Sequence, residues 1–326
     1  MKKTLKRLTG CIVTLFLTAV ISVRLGVLVR PLDTDDAFNA IETFHGLPED
    51  SVEVIGYGSS RMWRGFDPME MYEKYGIGAY NYGCNWQSIN TTALFLKDSL
   101  RTQSPKVVLI ETSFVNEVLQ DVDMDGQIYY TRGLPEFEGK RQYLRQCFGD
   151  DKERWLSYYM PLCAFHDNWV NISQGSFMEN ADVTDFYGTM GFRKFDNVTP
   201  VEVPDPSGFE QCGLSPEAYA VLDDIVSVCK EKNIDVIFYT VPVGGDYLYG
   251  DAMKRYAKEN GCVYFNLFEY MEETGIDGAV DFNDPSHLNG NGSKKLADFL
   301  GEYIVSHYDV TDMRTIKDNP WEKNLQ

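Results

Sequence analysis

Short, almost wholly apolar runs of strand length punctuate this chain, and they constrain its fold more than any other feature. Val52 to Tyr57, Lys106 to Thr112 (KVVLIET) and Asp235 to Val241 are runs of this kind. A strand with one wet face alternates apolar and polar residues, so a continuously apolar run predicts a strand covered on both faces. Ala79 to Tyr82 and Cys262 to Asn266 read as shorter strands. Between these runs lie segments with helical spacing: Pro68 to Tyr75, Gln87 to Thr102, and one from Pro216 to about Lys232. The last of these opens with Ser215-Pro216-Glu217, a capping serine, a proline at the first helical position and an acid. A further helix, from about Gly250 to Glu259, stops at Asn260-Gly261, and a final one spans roughly Gly292 to His307. Strands alternating with helices predict an α/β fold with a parallel sheet, and sites in such sheets lie beyond the carboxyl ends of the strands.

The N-terminus has a different character. Lys2, Lys3, Lys6 and Arg7 precede an uncharged, mainly apolar run from Leu8 to Val23, which Leu25 to Val29 extend past Arg24. A membrane span needs about 20 such residues, and Arg24 can snorkel its charge outward to recruit the second stretch. The leading cations favour a cytoplasmic N-terminus. Residues 1–30 therefore read either as an uncleaved signal anchor or as a cleaved signal peptide, with the body outside the cytoplasm or secreted. No small-x-small cleavage site follows the apolar core, which favours the anchor. Leu8-Thr9-Gly10-Cys11 mimics a lipoprotein box, but the apolar run follows that cysteine instead of preceding it.

The body spans residues 31–308. From about Val118 to Gly213 the alternation fails, and this stretch is rich in aromatics and acids. Trp155, Tyr158, Tyr159, His166 and Trp169 fall in a part expected to be helical. The stretch reads as an insertion, either a lid or substrate platform over the rim or a purely structural excursion. Residues 309–326 read as an exposed C-terminal tail.

Residues 1–30 hold six cations and no acid, so the remainder carries 24 basic against 49 acidic residues, about −25. Bulk charge of that sign repels nucleic acid and anionic polymers. The seven cysteines contain no CxxC pair and are expected to be mostly buried free thiols. There is no His-Glu-x-x-His, cysteine cluster or Walker loop, so neither metal nor nucleotide chemistry is indicated and no cofactor is expected.

Two loops carry candidate chemistry. Gly56-Tyr57-Gly58-Ser59-Ser60-Arg61 follows a buried strand directly, which places Ser60 at the top of the sheet. Such a turn is also common without function. It is neither a dinucleotide fingerprint, since Arg61 stands where the third glycine belongs, nor a Gly-x-Ser-x-Gly elbow, since Met62 ends it. A serine hydroxyl needs a base to become a nucleophile. Asp284-Pro285-Ser286-His287 can supply one, because an Asp three residues before a His can fold its carboxylate back onto the imidazole. Arg61 and Arg64 flank the serine, available for ion pairing or for an anionic group of a substrate. His45 and His307 read as surface positions, and His166-Asp167 either as a substrate contact or, in preference, as a solvated or packed histidine.

Gly58-Ser59-Ser60 after a strand, then Asn81-Tyr82-Gly83, then a late Asp284-x-x-His287, resemble the first, second and fifth sequence blocks of the SGNH (GDSL-like) hydrolase family. The likeness covers about residues 50 to 306, with the middle insertion unmatched. It implies a flavodoxin-like three-layer α/β/α fold and a Ser-His-Asp esterase or acyl-transfer site. Ser60 would be the nucleophile, His287 the base and Asp284 its orienter. The oxyanion hole would use the N–H groups of Ser60 and Gly83. Ser59 stands where many members have Asp. The third block departs further: Glu111-Thr112-Ser113-Phe114-Val115-Asn116 lacks the usual glycine, and Asn116 fits the oxyanion Asn only with one extra residue. Asn116, Ser113 or Asn85 could take that role. With an anchor, the chain resembles accessory proteins of envelope-polysaccharide O-acylation, including alginate acetylation and teichoic-acid D-alanylation. That implies a glycan or acyl-ester substrate and a membrane-bound acyltransferase as partner. An inactive glycan-binding or scaffold protein on the same fold is the alternative.

Overall fold

The computed structural model describes residues 2–29, 35–119, 128, 130–172, 176, 186–208, 210–244 and 246–323. The chain forms two compact units. One comprises residues 1–36 with 142–183, the other residues 37–141 with 184–326. The 118–213 stretch is therefore shared between them, and its last part belongs to the larger unit.

In chain order the helices used below are α1 (Lys2–Leu28), α2 (Asp35–His45), α3 (Ser60–Trp63), α4 (Pro68–Tyr75), α5 (Ile89–Ser99) and α6 (Glu138–Phe148). They continue as α7 (Lys152–Tyr159), α8 (Pro161–Phe165), α9 (Pro216–Glu231), α10 (Gly250–Asn260), α11 (Gly290–His307) and α12 (Pro320–Lys323). Strands β1 (Val54–Tyr57), β2 (Ala79–Asn81), β3 (Val107–Glu111), β4 (Asp235–Thr240) and β5 (Val263–Asn266) form one sheet, entirely parallel. Its order is β2-β1-β3-β4-β5. This is the flavodoxin-like order, whose switch point lies between β1 and β3. An α/β fold with a parallel sheet between helical layers is thus present, as the apolar runs require. Every residue of β1, β2 and β3 is buried.

The pleat sends alternate strand residues to opposite faces. Val54, Leu109, Ile237 and Tyr239 join Met71 of α4 and Leu296, Leu300 and Ile304 of α11 in one apolar cluster. On the other face α5 packs against α9. Local signals set the helix ends. Asp67 caps α4 through the N–H groups of Met69 and Glu70, Ser215 caps α9 through Ala218, and Gly261 closes α10 in the left-handed region. Helix α11 starts at Gly290, two residues before the expected Gly292. Asn289 is its cap, accepting from the N–H groups of Asn291 and Gly292.

The C-terminal segment is not an exposed tail along its length. Trp321 is fully buried, stacks on Tyr72 and donates its indole N–H to the Ala79 carbonyl at 2.9 Å. Met313 and Asn319 are buried too, and the Met313 N–H reaches the Gly76 carbonyl at 2.8 Å. The segment covers the α4–β2 edge that would otherwise be open to water. His45 also differs from a plain surface position: it is half-buried, its Nε2 lying 2.8 Å from the buried Asp98 carboxylate. His307 is exposed and stacks on Tyr303.

In the smaller unit α1 packs against α8, and the Asn168 amide donates to the Val29 carbonyl at 2.9 Å. Trp155, Tyr158 and Tyr159 lie in α7, while His166 and Trp169 lie in the 3-10 turn after α8. All seven cysteines are free thiols. Outside α1, Cys84 and Cys229 are buried, Cys147 and Cys262 half-buried, and Cys163 and Cys212 exposed.

Candidate active site

The turn after β1 brings Ser60 to the carboxyl end of the sheet as the first residue of α3. Ser59 caps that helix, its hydroxyl accepting from the Arg61 N–H at 3.2 Å. The turn is held against β3. The Ser59 hydroxyl also donates to the Glu111 carboxylate at 2.9 Å, and both residues are buried. The same carboxylate accepts the Ser113 N–H at 2.7 Å and the Ser113 hydroxyl. Gly58 makes this possible: a Cβ there would sit 2.7 Å from the Glu111 Cβ. A carboxylate beside the Ser60 turn is therefore supplied from the neighbouring strand, where Ser59 itself carries none. Glu111 was visible in the sequence as the one acid ending an apolar run, but its partner lay 52 positions away.

The late loop folds as an antiparallel pair, β6 (Phe282–Asp284) and β7 (His287–Leu288), with Asp284 directly opposite His287 across the Pro285-Ser286 turn. His287 Nδ1 lies 2.8 and 2.9 Å from the two Asp284 oxygens. A carboxylate only accepts, so Nδ1 carries the proton and Nε2 presents its lone pair. That Nε2 lies 2.7 Å from the Ser60 hydroxyl oxygen, across 227 positions of sequence. Ser60, His287 and Asp284 thus form one relay at the end of the sheet.

The electrostatics suit a base. Burial is the largest influence on His287 and pushes its pKa below the ordinary 6.5; the Asp284 hydrogen bond opposes this, while the positive charges of Arg64 and Arg61 reinforce it. Burial raises the Asp284 pKa, but hydrogen bonds from the Ser286 N–H, His287 and Asn283 outweigh it, leaving the group below its usual value. Near pH 7 the carboxylate is charged and the imidazole neutral. Both flanking arginines are engaged: Arg61 donates to the Ser286 carbonyl at 3.2 Å, and Arg64 lies 3.8 Å from Asp284 and 4.6 Å over the Phe195 ring.

Two asparagines hold the loops in place. Asn81, fully buried at the end of β2, donates to the carbonyls of Met62 and Phe66, both at 2.8 Å, and accepts the Gly83 N–H at 3.1 Å. Gly83 packs so closely that a Cβ there would meet Met62 Cγ at 2.8 Å and the Trp63 nitrogen at 3.0 Å. Asn289 donates to the carbonyls of Asn197, Val280 and Phe282 while it caps α11. Segment 190–201 lies along these loops: Arg193 N–H donates to Trp63, Asn81 N–H to Met190, and Gly290 N–H to Phe195, each onto a backbone carbonyl.

The expected third oxyanion donor is engaged elsewhere. The Asn116 side-chain oxygen accepts the Ser215 N–H at 2.7 Å, and its amide reaches the Tyr249 hydroxyl at 3.4 Å. Asn116 thereby ties the β3 exit to the start of α9. Ser113 is bound to Glu111, while Asn85 is half-buried in the loop after β2. Ser60, Asp284 and His287, expected from the sequence to meet, are hydrogen-bonded in one chain, whereas the part of Glu111 in holding Ser59 was not foreseen. Comparison with known proteins finds no family model and no curated sequence that matches this chain, so the inference of function rests on the fold and on the geometry of this site.

Proposed function

We propose that this protein is a serine-dependent acyl-ester hydrolase or O-acyltransferase of SGNH type, acting on a cell-envelope polysaccharide and held at the membrane by its N-terminal helix. The observation that carries this reading is the contact of Ser60 with His287 at 2.7 Å, backed by Asp284. Ser60 attacks the ester carbonyl carbon as its proton passes to Nε2 of His287. The tetrahedral intermediate expels the alcohol, which takes that proton, and leaves an acyl group on Ser60. Water or a sugar hydroxyl then gives its proton to His287 and attacks the acyl carbon, and Ser60 takes that proton back as the acyl group leaves it. Asp284 stabilises the imidazolium in both halves. Backbone N–H groups of Ser60 and Gly83 are the nearest candidates to bind the oxyanion; that of Gly83 would have to exchange its Asn81 partner for the substrate.

Membrane attachment is supported by α1, whose Lys6–Leu28 segment is long and apolar enough to cross a bilayer, with only 6% of its most apolar window buried in protein. The leading cations favour a cytoplasmic N-terminus. A membrane-bound acyltransferase would be the natural acyl donor.

A second reading, a glycan-binding scaffold without activity, draws on the diversion of Asn116 to Ser215 and Tyr249. A fluorophosphonate probe separates the two. The enzyme reading expects labelling at Ser60 that Ser60→Ala abolishes and His287→Ala reduces at least a hundredfold. A folded protein that stays unlabelled is a scaffold. In cells, Ser60→Ala should remove acyl groups from the surface glycan without removing the glycan.

A further inference from the structure

The smaller unit carries an apolar surface whose position along α1 identifies what covers it. In α1 burial is confined to the C-terminal end. Gly26 and the following Val29 are buried and Ser22 and Leu28 half-buried, whereas the other described side chains of the helix are exposed. The element packed there is α8, and Asn168 fastens the same end through the Val29 carbonyl. Small residues at positions 22 and 26, one turn apart, let the two helices approach closely.

The sequence of α8, Pro-Leu-Cys-Ala-Phe, has no charge. Around it, Leu156, Tyr159, Met160, Trp169, Val170 and Ile172 are all exposed, Trp169 by 67% and Val170 by 65%. The charges of α7 are segregated in its first turn, at Lys152, Glu153 and Arg154, and its aromatic end leads into α8. Scattered exposed apolar residues need no explanation, but six within 17 positions, two of them aromatic, do.

We infer that the 156–172 segment is a membrane-interface platform, seated in the outer headgroup layer beside the end of α1. The inference rests on the membrane attachment proposed above but not on the acyl-ester chemistry. Depth in the bilayer carries it. The 23 residues Lys6–Leu28 rise roughly 35 Å at about 1.5 Å each, against roughly 30 Å of hydrocarbon. If that helix spans, its last two turns lie in the outer leaflet and interface, and whatever packs against them lies at that depth too. Tryptophan and tyrosine favour this layer, where the ring is apolar and the N–H or O–H stays wet.

The full-length chain reconstituted in phosphatidylcholine vesicles tests the platform, with lipid brominated in the upper part of one acyl chain as the quencher of tryptophan fluorescence. Flotation reports attachment and quenching reports seating. The protein is expected to float with the vesicles and to be quenched. Trp169→Phe should remove at least half of the quenchable signal. A floating protein whose quenching is the same with and without Trp169 overturns the platform and leaves the anchor standing. A protein that does not float overturns both, and neither result bears on fluorophosphonate labelling of Ser60.

Discussion

Ser60 and His287 lie 2.7 Å apart, and the proposed chemistry passes a proton between them. His287 must be neutral to accept the serine proton, and burial with two nearby arginines already holds its pKa low. The acid limb of the labelling rate should therefore lie below the ordinary imidazole value of 6.5. Arg64→Gln removes a positive charge that disfavours the imidazolium, so the pKa rises and the acid limb moves to higher pH. A pH profile of probe labelling measures both. Glu111 acts on the same serine indirectly, by holding Ser59. Glu111→Ala leaves the buried Ser59 hydroxyl without its acceptor, at a cost of about 1–3 kcal/mol. The expected outcome is a lower unfolding midpoint and labelling at least tenfold slower, with Glu111→Gln in between because its amide oxygen can still accept. At this scale, Asp284 and His287 were legible because three positions and a proline turn bring them together locally. Glu111 was not, because its role depends on a strand alignment that no local pattern states.

Between residues and the whole chain stand the elements that carry these loops. Most were readable: α4 matches its expected span of Pro68 to Tyr75, and Ser215 caps α9 through Ala218. Caps and stops act within one turn, so short sequence signatures suffice for them. The hairpin of β6 and β7 is different, since strands of three and two residues joined by a turn cannot stand alone in water. Asn289 gives it support, bonding to Asn197, Val280 and Phe282 while starting α11. Asn289→Ala deletes a cap worth about 1 kcal/mol and strands buried carbonyls, for a total of about 2–3 kcal/mol. Chemical denaturation should show that loss. Labelling of Ser60 should fall further than the loss of folded protein accounts for, because His287 loses its fixed position.

The larger unit as a whole depends on a segment that the sequence presents as a tail. Trp321 fills the space beside Tyr72 and Ala79, so Trp321→Ala should cost about 3–5 kcal/mol. Truncation before Asp309 should lower the thermal midpoint at least as much, read by calorimetry. Nothing within residues 309–326 announces this, since the pocket that Trp321 occupies is built by α4 and β2. The sequence by itself determined the alternation of strands and helices, the parallel sheet that alternation demands, the turn presenting Ser60 and the pairing of Asp284 with His287. Each follows from hydrophobic period or from hydrogen bonds that close within a few residues. Only the tertiary structure decided that Ser60 meets His287 across 227 positions, that Glu111 serves Ser59, that Asn116 serves Ser215, and that α8 packs on the end of α1. Those are long-range meetings of surfaces, and their free energy depends on what becomes buried together, which no local stretch of chain encodes.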